Sequence, residues 1–278
     1  MIRTAAAALL FLLLGVAPAA AQGVAPVPSC YARVPAAHLR PAAPVRRLYV
    51  IVDQTTSLDP DLTRTLRQNV ARLVQPGTAF TVASFSAFQA GHHASVVASG
   101  YVEPAVPAGV RNSVSVPALK QLDACLRAQA GYGVRAALAG LARAQATGGG
   151  SFSQSEIMAS LKQLAAPIGT LAARDKVVIL ASDMLEHSSA TSFYAHQGLR
   201  RIDPRAELAK AEANALLAEF GGARLYVIGA GVLPPQSKDA GRTIQNLNAL
   251  QAFWTEWFRR SHARLGAFGL PDLVQPIP

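Results

Sequence analysis

Asp53, Thr55 and Ser57 occupy alternate positions directly after a short apolar run, residues 48–52, and Asp183 follows Ser182 after a second run, residues 176–181. Alternate residues of an extended chain point the same way, so the first three are expected to present one carboxylate and two hydroxyls together. Such hard oxygen donors suit Mg²⁺ or Mn²⁺, which retain several waters, whereas zinc favours His or Cys. Asp183 adds a second carboxylate, and Ser153 adds a further hydroxyl after the three glycines 148–150. Glycine there lets backbone approach a ligand closely.

These residues converge only if the elements carrying them are neighbours. Both apolar runs are short and rich in β-branched residues, as strands buried on two faces are. In open sheets with helical crossovers, ligands sit outside the carboxyl ends of the strands, so two strands ending in carboxylates predict one shared site. Asp59 and Pro60 open a helix striped by Leu62, Leu66, Val70 and Leu73. Strands are expected at 79–85 and 94–102, joined too closely for a crossover and therefore antiparallel. Residues 117–146 read as helix, interrupted at Gly131 and Gly133. Ser153 and Glu156 form a capping box ahead of Ile157, Leu161 and Leu164. A polar loop over 183–203, a helix from Asp203-Pro204 to 220, a strand at 223–229 and a helix over 243–265 complete the series. The last helix carries Phe253, Trp254, Trp257 and Phe258, read as core. Alternating strands and helices predict a three-layer α/β/α fold, Rossmann-like, with a mainly parallel central sheet and one antiparallel edge strand.

Residues 1–21 combine Arg3, an apolar stretch over 5–16 and small residues at Ala19, Ala20 and Ala21, the pattern of a cleaved secretory signal. Residues 22–46, rich in Pro and Ala, read as an extended lead-in, 47–265 as one domain and 266–278 as a tail. Export to an oxidising compartment makes a disulfide the expectation for the two cysteines, Cys30 and Cys125. A periplasmic or secreted location follows, with no transmembrane anchor after signal cleavage. The net charge of +10 is scattered along the chain as arginines without interleaved aromatics, which argues against nucleic acid as a partner.

In this order of elements the sequence resembles a von Willebrand factor A-type domain, the fold shared with integrin I domains. The family builds a metal-ion-dependent adhesion site from DxSxS after the first strand, a Thr in a later loop and an Asp after the fourth strand. Here the first element is Asp53-Gln54-Thr55-Thr56-Ser57, with Thr55 as the middle hydroxyl, and the last falls on Asp183. Serine replaces the loop Thr; Ser153 or Ser155 can take its place, and Ser153 is preferred because Ile157 and Leu161 then face the core. The resemblance implies an exported, non-enzymatic protein that binds a protein or acidic ligand through Mg²⁺ or Mn²⁺, as an adhesion, scaffold or envelope-assembly component. It implies that Ser57 and Ser153 contact the ion, Thr55 supports them, Asp53 orders hydroxyls and waters, and Asp183 acts directly or through water. A carboxylate from the partner fills the open position. The alternatives are a metal-dependent hydrolase or phosphatase using Asp53 and Asp183, for which no His or Lys is evidently positioned, and a metal-free structural module of an envelope or secretion complex.

Overall fold

The computed structural model describes residues 26–86, 94–146, 155–195, 198–233 and 241–278. The signal-like segment and Ser153 lie outside the described residues. A six-stranded sheet comprises β1 (Arg46–Asp53), β2 (Thr78–Phe85), β3 (Ser95–Tyr101), β4 (Asp175–Ala181), β7 (Arg224–Ile228) and β8 (Arg264–Phe268) in the order β3-β2-β1-β4-β7-β8. All neighbouring strands are parallel except β2 and β3. A separate hairpin pairs β5 (Tyr194–Ala195) with β6 (Gly198–Leu199). The helices are α1 (Pro60–Leu73), α2 (Val116–Ala146), α3 (Ile157–Thr170), α4 (Pro204–Ala213) and α5 (Ile244–Arg260). The three-layer, mainly parallel architecture expected from the sequence is therefore present.

The period of two along β1 divides the core. Leu48, Val50 and Val52 face the layer that contains α1 and α2. Tyr49 and Ile51 face the layer of α3, α4 and α5, where Phe253, Trp254, Trp257 and Phe258 are completely buried. Burying each such side chain stabilises by roughly 1.5–3 kcal/mol. Asp59 caps α1 as expected, its carboxylate accepting from the Asp61 and Leu62 amides.

Four local expectations are corrected. First, α2 runs unbroken through Gly131 and Gly133. Its glycines serve close packing: a Cβ at Gly133 would meet Val102 at 2.4 Å and one at Gly140 would meet Ala98 at 2.4 Å. Second, the last helix ends at Arg260, His262 adopts a positive φ of 51°, and a sixth strand follows. Pairing with β7 claims residues whose apolar pattern also fits a helix. Third, α4 stops at Ala213, well before residue 220. Fourth, α3 begins at Ile157, so Glu156 is its N-cap residue rather than part of its first turn and makes no side-chain cap; Ser153, the other half of the expected capping box, lies outside the described residues. A distant carboxylate caps the helix: Glu186 Oε2 accepts the Met158 amide at 2.9 Å.

The lead-in is tied to the domain rather than simply extended. It forms 3-10 turns at Tyr31–Arg33 and Ala37–Leu39, and Cys30 is disulfide-bonded to Cys125 on α2. Buried Glu103 accepts the Ser29 hydroxyl and the Cys30 amide, each at 2.7 Å, and pairs with Arg40 at 2.6 Å. Burial alone would raise the Glu103 pKa, but these bonds prevail and lower it. Among the described residues, no helix is long and apolar enough to cross a membrane.

Candidate functional site

The carboxyl ends of β1 and β4 are adjacent, since the two strands pair in parallel from Arg46–Asp175 to Val52–Ala181. That pairing brings Asp53 and Asp183 into one place. Both are almost completely buried, at 1% and 4% exposure.

β1 ends at Asp53 and the chain then turns at Gln54 and Thr55, held by the Thr56 amide bonded to the Asp53 carbonyl at 3.3 Å. The alternation expected of an extended exit therefore does not continue past the strand. Asp53 itself organises the turn. Its Oδ1 accepts the Thr55 amide at 2.9 Å and the Thr55 hydroxyl at 2.6 Å, while its Oδ2 accepts the Ser182 hydroxyl at 2.7 Å. Thr56 reaches across instead, its Oγ1 accepting the Asp183 amide at 3.0 Å. Ser57 is exposed and lines a cavity of about 280 Å³ with Asp53, Gln54, Thr56 and Gln145.

Ser155 is the loop serine that the described residues bring to the site: its Oγ lies 3.0 Å from Thr55 Oγ1. Two backbone bonds of 2.9 Å between Ser155 and His187 tie this loop to the segment following Asp183.

That segment is rigidly held. Met184 has a φ of 60°, a left-handed conformation that costs a β-carbon residue energy and persists only when surroundings enforce it. Its amide donates to Ser182 Oγ at 3.0 Å and its carbonyl accepts Trp254 Nε1 at 2.8 Å. Asp183 Oδ1 accepts the Leu185 amide at 2.9 Å, and Tyr194 OH makes a longer contact of 3.5 Å to Oδ2. Tyr194 also packs edge-on against His187, with ring centres 5.8 Å apart.

The electrostatics are set by two carboxylates with no cation beside them among the described residues. Burial raises the Asp53 pKa against the hydrogen bonds from Thr55, Ser182 and Thr56. Burial, then the proximity of Asp53, raises that of Asp183 well above the ordinary range. Such a pair favours holding a proton or a metal ion. Two hydroxyls stand beside these carboxylates, Thr55 and Ser155, their oxygens hydrogen-bonded at 3.0 Å; oxygen donors of this kind are those a hard cation such as Mg²⁺ would take. Among the described residues no group of three or more His, Cys, Asp or Glu side chains converges.

Several participants escaped the sequence reading. Thr56 lies out of phase with the alternating motif, Tyr194 lies on the β5–β6 hairpin, within the stretch 183–203 that reads from the sequence as a polar loop, and Trp254 acts through its indole N–H from a helix read as core. Ser182, adjacent to Asp183 at the strand end, was the one with a positional signal. Compared with protein-family models the chain matches none, and comparison with curated proteins likewise gives no match.

Proposed function

We propose that the chain is an exported, von Willebrand factor A-like protein that binds a protein or acidic ligand through a Mg²⁺- or Mn²⁺-dependent site, in an adhesion, scaffold or envelope-assembly role. The observation that carries this reading is the meeting of Asp53 and Thr55 with Asp183, which follows the fourth strand in chain order, and with a loop serine. Thr55 and Ser155 would hold the ion, with Ser57 and Ser153 as further hydroxyl candidates. Asp53 would fix the Thr55 and Ser182 hydroxyls, and Asp183 would balance charge directly or through water. A bound cation supplies an electrophilic position for a partner's carboxylate. The protein's own contribution is to orient those oxygens and, through burial, to keep bulk water from the two carboxylates.

A secretory route agrees with the Cys30–Cys125 disulfide and with the absence, among the described residues, of a membrane-spanning helix. The reading is tested by binding the purified protein to a carboxylate-bearing surface with Mg²⁺ and with chelator, alongside an assay for phosphoester hydrolysis. Chelator-reversible binding without turnover is expected. Turnover abolished by Asp183→Asn would establish the hydrolase instead, and binding indifferent to chelator would leave the metal-free module.

A further inference from the structure

α2 packs one face on β2 and β3 and turns the other to solvent. On that outer face stand Lys120, Arg127, Arg135 and Arg143, all exposed, and between Lys120 and Arg143 the remaining exposed positions are Gln121, Gly131 and alanines. At about 1.5 Å rise per residue the row is about 35 Å long, and at 3.6 residues per turn it keeps to one side of the helix.

These charges are unanswered. Other helices carry ion pairs of their own: Arg64 with Asp61 in α1, Lys210 with Glu207 in α4 and Arg259 with Glu256 in α5. The one acidic residue of α2, Asp123, is instead taken by Arg111 off the helix, at 2.7 Å and 3.3 Å. Arg127 is close enough to influence that carboxylate but makes no bond to it. The lead-in adds a fifth cation. Arg33 is exposed, makes no ion pair among the described residues, and shares with Arg135, Tyr132 and Pro28 a crevice of about 300 Å³ beside the Cys30–Cys125 disulfide. Two guanidiniums at one opening can hold a phosphate by paired hydrogen bonds.

Cations spread along a whole helix, rather than gathered at one point, fit an extended surface of even negative charge, where each finds an anion whatever the register. The alanines between them let the ridge lie flat. The face lacks the repeated aromatic platforms on which nucleic-acid bases stack.

We propose that the outer face of α2 lies against the anionic phospholipid surface of a membrane, with a headgroup phosphate between Arg33 and Arg135. The carboxyl end of α2 borders the strand-end cavity, which Gln145 lines together with Asp53. The candidate cation site then sits at the edge of the bound face, open to a partner, and membrane binding needs no cation.

Sedimentation of the whole protein with vesicles tests it, in about 0.1 M salt, where charges act over about 10 Å. Vesicles of phosphatidylglycerol and phosphatidylcholine in equal parts are compared with phosphatidylcholine alone. Binding to the acidic vesicles only is expected, with release at about 1 M salt. Each basic side chain near an anionic bilayer strengthens binding about fivefold, so Arg127→Gln/Arg135→Gln should weaken it about thirtyfold. Arg201→Gln/Arg205→Gln removes the same charge beside α4, in the opposite layer, and should change it less than about threefold. Absence of binding to acidic vesicles, or equal binding to neutral ones, would overturn the proposal. So would equal losses in the two double variants, which would reduce the attraction to net charge. Tighter binding of a single-stranded oligonucleotide than of acidic vesicles at the same salt would assign the face to nucleic acid instead.

Discussion

Replacing Glu186 with glutamine should make the protein's stability less dependent on pH. Glu186 is fully buried and accepts the Met158 amide at 2.9 Å through Oε2. Burial pushes its pKa from 4.5 up to about 8. A carboxyl with a raised pKa in the folded state holds its proton where the unfolded chain has released it. Stability is therefore highest below the unfolded value and is lost as pH rises toward the folded one. A rise of that size sets an upper limit of about 5 kcal/mol, and relaxation of the site reduces the expected loss to about 2–3 kcal/mol. Glutamine keeps an oxygen for the Met158 amide and never ionises. Urea denaturation at pH 5 and pH 9 measures the difference. The native protein should lose more stability between those values than Glu186→Gln, with the two similar at pH 5. Asp53 and Asp183 titrate in both proteins, so subtraction isolates Glu186. Parallel pH profiles would refute the argument that this carboxyl is held protonated by burial.

Other outcomes follow from named contacts. Replacing both Cys30 and Cys125 with serine should destabilise by up to about 4–5 kcal/mol, the chain-entropy value for a loop of this length, read as a lower urea midpoint relative to the oxidised protein. Trp254→Phe removes the donor to the Met184 carbonyl inside the core and should cost about 2–3 kcal/mol; by loosening the Asp183 segment it should also weaken Mn²⁺ binding, and an unaltered Mn²⁺ affinity would show that Trp254 does not position the site. Gly140→Ala places a methyl 2.4 Å from the Ala98 side chain and should lower stability by about 1–3 kcal/mol, measured by thermal unfolding.

The layered fold was legible because its signals are local and repetitive. Two short apolar runs ending in carboxylates identified β1 and β4, and Asp59-Pro60 marked the start of α1 without ambiguity. β8 was hidden because Arg264–Phe268 is an edge strand of intermediate and exposed residues that adjoins a strongly apolar helix. Gly131 and Gly133 read as breaks because local propensity penalises glycine in a helix. Tertiary packing of α2 onto β3 and Val102 overrides that penalty. At the site, Asp53, Thr55 and Asp183 were legible from strand-end position. Thr56, Tyr194 and Glu186 were not, since each acts across the fold on residues remote in sequence. The turn after Asp53 also replaced the assumed two-residue alternation, a change dictated by the aspartate's own bonds to the Thr55 amide and hydroxyl.

The most direct test of the central claim is a Mn²⁺ titration of the purified protein, followed by isothermal calorimetry or by the ion's paramagnetic resonance signal. The account predicts one equivalent of Mn²⁺ bound to the native chain, displaced by Mg²⁺. Asp53→Ala and the Thr55→Ala/Ser155→Ala double variant should each weaken binding at least about tenfold, corresponding to roughly 1.4 kcal/mol or more. Binding of the same stoichiometry and strength in folded Asp53→Ala, or no binding by the native protein, would contradict it.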